Sequence, residues 1–250
     1  KRVFYKIFGN SKKIINILPK TLSSNSYELI HTEEEVRGSD SVLGAAKKGK
    51  NTSMWLAIDS VKKKESDVVL SAGNTGALFV IAKLNLKMIE NIDKPALSGL
   101  WPNKMGMNIV LDLGANIECN EKNLKDFSIM GAALHKSLFP DEVAKVALLN
   151  IGSEEIKGKN IIKNTYQELS KLNSSLFEFK GYVEGNNIMS GKVNVIIADG
   201  FTGNIALKTA EGTANFITSE LKIALTSNIM GKISSLLNIK NINYFKKKLD

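Results

Sequence analysis

The sequence is poor in cysteine, proline, histidine and long apolar runs, and each shortage removes a class of protein. A single cysteine, Cys119, among 250 residues excludes an internal disulfide and fits a reducing compartment. The two histidines, His31 and His135, stand far apart without a Cys/His cluster, so no metal site and no structural zinc is expected. No apolar run reaches the roughly 18–20 residues that a membrane span needs, and Lys1-Arg2-Val3-Phe4-Tyr5 lacks a signal-peptide layout. The dinucleotide fingerprint G-x-G-x-x-G is missing, and no serine elbow accompanies the histidines. NAD binding and a hydrolase triad both lose their main support. Cys119 follows Glu118 in a polar stretch, where a neighbouring carboxylate opposes thiolate formation, so it is not expected to be a nucleophile.

What is present is an ordinary globular composition. With 43% hydrophobic residues and only 4 prolines, the chain can bury a real core as one large domain or two small ones. Its net charge of +9 favours an acidic partner, although much of it is lysine scattered among Asn and Ile. Strand-like and helix-like segments alternate. Strands are expected over 3–8, 27–31, 67–70, 96–101, 107–113, 143–151, 177–183 and 193–198. Helices are expected over 12–18, 52–64 with Met54, Ala57, Ile58 and Val61 on one face, 75–88, 122–138 and 160–172, with another beginning near Gly200. Strands apolar on both faces argue an α/β domain with a mostly parallel central sheet.

Ligands of such sheets bind outside the carboxyl ends of the strands. Polar and glycine-rich turns recur there: Ser71 to Gly76, Asp112 to Asn116, Asn150 to Gly158, and Asp199-Gly200-Phe201-Thr202-Gly203-Asn204. The last precedes a helix, whose unpaired N–H groups make an anion site. Ordinary βα turns use the same residue types, so a single turn favours a structural role, and only the recurrence of four brings a shared crevice level with it. Gly44-Ala45-Ala46-Lys47-Lys48-Gly49-Lys50-Asn51 approaches a phosphate-binding P-loop, but it has Asn where Ser or Thr should bind magnesium and no apolar strand before it. The segment 229–250 differs in kind. Ile229, Ile233, Leu236 and Leu237 fall at helical spacing, followed by Tyr244, Phe245 and Lys246-Lys247-Lys248, which suits either an anionic membrane surface or a packed helix with a basic tail.

Four stretches in order and spacing resemble the bacterial phosphate acyltransferases of phospholipid synthesis, the PlsX family: Ser71 to Ala77, Leu111 to Asn116, Leu148 to Gly158, and Asp199 to Lys208. Lys50 to Met54 and Glu184-Gly185 are similar to further family segments. The resemblance implies a three-layer α/β/α fold, like the isocitrate/isopropylmalate dehydrogenase-like and phosphotransacetylase-like architecture. It implies transfer of a long fatty acyl group from acyl carrier protein to inorganic phosphate, without metal or cofactor. Two departures stand out: the family's opening Asp-Ala-Met-Gly-Gly-Asp motif is absent, and the family continues past Asp250. The chain thus reads as lacking both termini, with a catalytic domain over 1–228 and a basic amphipathic segment over 229–250.

On this resemblance Asn74, Thr75, Thr202, Asn204 and Lys208 are expected to act catalytically. Ser71, Gly73, Gly76, Asp112, Asn116, Asn150, Lys157, Asp199, Gly200 and Gly203 are expected to line the substrate site. Asp112 and Asp199 read as donor-orienting or helix-capping groups rather than bases, since a bare carboxylate repels phosphate. Lys47, Lys48 and Lys50 are expected to meet acyl carrier protein, which is acidic. A homodimer, contact with the inner face of the cell membrane, a cytoplasmic location and hand-over to a membrane glycerol-3-phosphate acyltransferase are implied, and no nucleic acid. The alternatives are a phosphotransacetylase-like or dehydrogenase-like enzyme of the same architecture, or an inactive truncated remnant.

Overall fold

The computed structural model describes residues 3–249, with the side chains of Leu43 and of residues 246–250 outside the description. The expected lysine cluster Lys246-Lys247-Lys248 is therefore placed only by its backbone. The chain divides into two compact units, Lys1–Pro95 and Ala96–Asp250, so the segment 229–250 falls within the second unit.

In the first unit, β1 (Tyr5–Gly9) and β2 (Tyr27–His31) pair in parallel, Tyr5 opposite Tyr27 and Gly9 opposite His31. Between them runs α1 (Ser11–Ile17), begun by Asn10, whose side chain accepts from the Lys13 N–H. Three further helices follow, α2 (Val42–Lys47), α3 (Ser53–Lys62) and α4 (Thr75–Leu86). Their core is Ala45, Met54, Ile58, Ala77 and Ile81. Thr52, fully buried, caps α3 through the Trp55 N–H, and the expected Met54/Ile58 stripe is the buried one. The near-P-loop stretch starts inside α2, and among the described residues no strand leads directly into it.

One expectation fails here. Asp67 to Leu70 forms no strand, and Val68 and Leu70 are 70% and 84% exposed. β-branched composition favours a pleated surface only where a neighbouring ladder takes up the backbone groups, and no described strand pairs with this run. The turn and helix that follow it are as expected.

The second unit is a five-stranded sheet flanked on both faces. Its strands are β3 (Gly99–Asn103), β4 (Gly106–Leu111), β5 (Ala144–Asn150), β6 (Phe177–Glu184) and β7 (Val195–Ile197), in the order β3-β4-β7-β5-β6. All neighbours are parallel except β3, which forms an antiparallel hairpin with β4 and carries Pro102 at the sheet edge, where its missing N–H costs no ladder bond. The period-two geometry of strands explains the continuous apolar runs. Ile109, Leu111, Val146, Leu148, Val195 and Ile197 point to one face, under α5 (Glu121–Leu138) and α6 (Asn160–Lys171). Val110, Ala147, Leu149 and Ile196 point to the other, against Trp101 and against Ala206, Leu207 and Ala210 of α7 (Gly200–Thr226). Beyond its first turns α7 is largely exposed, and α8 (Ile229–Leu237) and α9 (Ile239–Leu249) follow it.

Candidate active site

The carboxyl ends of the three central strands lie in one line. Leu111 of β4 and Leu148 of β5 both register with Ile197 of β7, so the segments that follow them, 112–116, 151–158 and the start of α7, emerge side by side. Parallel strands make this unavoidable, because every chain leaves the sheet at the same edge.

Asp112 organises the first of these loops. It is fully buried, and its Oδ1 accepts from the N–H groups of Leu97 at 3.0 Å, Gly114 at 3.2 Å and Ala115 at 3.0 Å. Its Oδ2 accepts from the Asn116 N–H at 2.7 Å and from Asn116 Nδ2 at 2.8 Å. A buried carboxylate is tolerable only when matched in this way, and here five donors converge on it. Asp112 therefore shapes a loop, with both carboxylate oxygens engaged by it.

That loop is joined to the start of α7. The Gly200 N–H donates to the Asn116 carbonyl at 2.8 Å, and Asn204 Nδ2 donates to the Leu113 carbonyl at 3.2 Å. A Cβ on Gly200 would stand 2.5 Å from the Asn116 oxygen, so only glycine permits this approach. Asp199 caps the helix, accepting from the Thr202 N–H at 2.7 Å and from Thr202 Oγ1 at 3.0 Å. Thr202 and Asn204 thus direct their donors to internal partners here. The 27-residue helix still presents the positive end of its dipole at this junction, partly offset by the Asp199 carboxylate.

The 151–158 loop is held by Asn150, which is buried and donates from Nδ2 to the carbonyls of Gly152 and Lys157, both at 3.1 Å. Gly158 closes it with φ +97, where a Cβ would overlap Asn150 Oδ1 at 2.1 Å. Lys157 is exposed and pairs with Glu154 at 2.7 Å; this bond holds the ammonium above its ordinary pKa and the Glu154 carboxyl below its own. Lys208 similarly pairs with Glu211 at 2.7 Å on the exposed side of α7. Exposed pairs of this kind are weak, so both cations are free to turn toward an anion.

Lys159 escaped the sequence reading. It is the N-cap residue of α6, which has no side-chain cap, and its Nζ lies 3.6 Å from Asp199 Oδ2, the cap of α7. One cation therefore bridges the starts of two neighbouring helices. Its only sequence signal was its place between Gly158 and a helix, which calls for an N-cap that lysine does not supply.

The Ser71–Gly76 turn belongs to the first unit. Asn74 caps α4, accepting from the Ala77 N–H at 3.0 Å and donating to the carbonyl of Gly38 at 3.2 Å, while the Gly73 N–H donates to Ser71 Oγ at 3.2 Å. Thr75 is exposed, and Gly76 abuts Val42, whose Cγ2 would lie 2.8 Å from an added Cβ. Of the basic trio, Lys48 bonds to Asp40 at 2.6 Å and to the Glu35 carbonyl at 3.2 Å, whereas Lys47 and Lys50 are exposed. Among the described residues, no group of three or more His, Cys, Asp or Glu converges as a metal site requires, and no helix is long and apolar enough to cross a membrane.

The sequence pattern of the family described as fatty acid synthesis protein matches residues 2–250. A phosphate acyltransferase of Pelagibacter ubique is 71% identical over 247 residues, covering 99% of this chain and 74% of that protein. One from Maricaulis maris is 42% identical, covering 89% of this chain and 64% of the relative. Among solved structures, a phosphotransacetylase from Streptococcus pyogenes superposes with a TM-score of 0.60 at 16% identity, over 83% of this chain and 73% of that one. The EutD phosphotransacetylase from Staphylococcus aureus gives 0.57 at 15% identity, over 85% and 83%. These two share the α/β fold with a mostly parallel sheet that the sequence led us to expect.

Proposed function

Because the chain belongs to the phosphate acyltransferase family, a family of transferases, we propose that it moves a long-chain fatty acyl group from the thioester of acyl carrier protein to inorganic phosphate. An oxygen of the phosphate dianion attacks the thioester carbonyl carbon. As the tetrahedral intermediate collapses, the C–S bond breaks and its electron pair leaves with sulfur. The proton carried by the phosphate ends on the carrier thiol, and acyl phosphate is released. Much of the phosphate near pH 7 is already dianionic and a thiolate is a good leaving group, so positioning and charge stabilisation suffice.

The observation that carries this reading is Lys159 between the N-caps of α6 and α7, beside a loop whose shape is fixed by Asp112. Lys159, Lys157 and the uncapped start of α6 are proposed to take the phosphate. The Asp112–Asn116 loop, the Gly200–Gly203 turn, Thr202, Asn204 and Lys208 are proposed to frame the thioester carbonyl, with Asn150 holding the 151–158 loop in place. Within the first unit, the Ser71–Gly76 turn with Asn74 and Thr75 is proposed as a separate group of substrate-binding donors.

Lys47 and Lys50, exposed beside the Asp40-bound Lys48, are the proposed landing point for the acidic carrier. The exposed apolar residues of the last helices, Phe216 at 66%, Ile223 at 60% and Leu237 at 80%, support a homodimer contact and a membrane contact through 229–250. That would place the protein in the cytoplasm at the inner membrane face, next to a membrane acyltransferase that consumes the product. The deciding assay mixes the chain with palmitoyl-carrier protein and phosphate and follows free thiol. Phosphate-dependent thiol release is expected; release without phosphate, or none at all, refutes the reading.

A further inference from the structure

Around the strand-end loops of the second unit stands a set of aliphatic and aromatic side chains that the fold leaves in solvent. Ile117 is 71% exposed, Ile151 79%, Ile156 84%, Phe201 55% and Ile205 50%. Isolated exposed hydrophobics are ordinary, but these are brought together by the site's own bonds. The hydrogen bond from Gly200 to the Asn116 carbonyl sets Ile117 and Phe201, the next residue on each segment, at one junction. Asn150 ties the carbonyls of Gly152 and Lys157, and so fixes the loop that carries Ile151 and Ile156. The Lys159–Asp199 pair joins that loop's end to the α7 cap next to Phe201. Ile205 follows Phe201 one helical turn later, on the same side of α7.

Charge decides the occupant. The charges beside these side chains are matched, Glu154 with Lys157 at 2.7 Å and Asp199 with Lys159 at 3.6 Å, so this rim has no large excess of either sign to draw a charged partner. A neutral chain of methylenes needs no such excess and gains from covering apolar surface. Resting on the acyl-transfer reading above, we propose that Ile117, Ile151, Ile156, Phe201 and Ile205 form the platform on which the fatty acyl chain of the donor lies. They thereby set the preference for long donors over short ones. The Lys159–Asp199 pair, two residues before Phe201, sets the thioester carbonyl end of the chain toward the phosphate site and its tail along the rim.

The test substitutes exposed positions whose change leaves the core intact: Ile151→Ser with Ile156→Ser, and separately Phe201→Ser. Thiol release is measured with palmitoyl- and butyryl-carrier protein, and binding of a fluorescent long-chain fatty acid is titrated without turnover. Circular dichroism and melting confirm folding. The expected result is a fall of about tenfold or more in the palmitoyl-to-butyryl ratio of kcat/KM for the double variant, about 1.4 kcal/mol, which is less than the apolar burial that two isoleucines supply. Fatty-acid affinity is expected to fall in parallel. An unchanged ratio with unchanged probe affinity overturns the platform, as does an equal loss on both donors. If the unsubstituted chain releases no thiol, the acyl-transfer reading fails by itself, while the probe titration still decides the platform.

Discussion

Gly203 lies so close to Asp112 that a Cβ in its place would stand 1.9 Å from the Asp112 carbonyl oxygen. The first turn of α7 and the 112–116 loop therefore touch backbone to backbone, and the site's two central segments keep their spacing only with glycine there. Gly203→Ala must push them apart. Overpacking of this kind costs about 1–3 kcal/mol, and in a chain of this size each kcal/mol lowers Tm by about 2–4 °C. We expect a Tm lower by several degrees in thermal melting, and acyl transfer reduced at least tenfold, since a displacement on the order of 1 Å can cost a hundredfold in rate. Wild-type turnover in this variant would show that the contact does not set the site.

Asp112 gives a second prediction, because its role as loop organiser and a role as base differ in outcome. Asp112→Asn keeps the size but places an amide NH₂ among N–H donors that need an acceptor, including those of Ala115 and Asn116. Each lost bond to a charged group is worth about 1.5–3 kcal/mol. We expect Asn and Ala variants alike to melt earlier and to lose activity at every pH. A variant with native Tm and only a displaced pH–rate profile would mark Asp112 as a base instead.

The sheet of the second unit was legible because both faces are buried, so its strands read as unbroken apolar runs ending in Gly, Asn and Asp. The run at 67–70 carries the same letters, yet Val68 and Leu70 face solvent. Whether an apolar run finds a partner strand depends on residues distant in sequence, and local pattern does not contain that. In the site, the polar turns that carry Asp112, Asn150 and Asp199 were legible, and for Asp112 and Asp199 so was an orienting or capping part, while Asn150 was read only as a lining residue and its hold on the 151–158 loop was not. The direction of each bond was not, because Asn204 reaches the Leu113 carbonyl across the fold and no spacing rule predicts such a contact. Lys159 was missed for a related reason. Its importance comes from Asp199, forty residues later, and from a helix cap that its own side chain leaves open.

Lys159 itself supplies a third prediction. Removing it leaves both helix caps without their shared cation but takes away no buried group, since its side chain is 70% exposed. Lys159→Ala is therefore expected to fold with a Tm within about a degree or two of the parent, consistent with the small worth of exposed pairs. Its KM for phosphate should rise about tenfold or more, in line with the loss of one charge-assisted contact, and Lys159→Arg should restore most of it. An unchanged KM would remove Lys159 from the phosphate site.

Asp199 separates capping from charge. Asp199→Ala deletes the acceptor for both Thr202 donors and should cost about 0.5–2 kcal/mol, as helix caps do. Asp199→Asn keeps an acceptor for the Thr202 N–H and should recover most of that stability while freeing Lys159. Differential scanning calorimetry of the two variants reads the cap. If Asn melts as low as Ala, the stabilisation comes from the ion pair and the capping account is wrong.

His135 predicts how stability depends on pH. It is 1% exposed near the end of α5, its ring 5.0 Å from that of Phe139, and its Nδ1 has no partner among the described residues. Burial pushes its pKa below the ordinary value near 6.5; the Glu142 carboxylate, 3.7 Å from Nε2, pulls the other way but less strongly, and Lys136 adds to the lowering. Folded protein thus binds this proton less readily than unfolded protein, so stability rises with pH across the interval between the two pKa values. The contribution is fully present above about 6.5, the unfolded value. It is lost as the pH falls from there through the lower folded value, where the imidazole must charge inside the core or the core must open. Melting curves at half-unit steps from pH 7.5 to 5 should show the parent losing Tm faster than His135→Gln, and the two lines should run parallel above pH 7. Parallel lines over the whole range would mean that His135 keeps an ordinary pKa in the folded state, and that the acid sensitivity of the protein arises elsewhere.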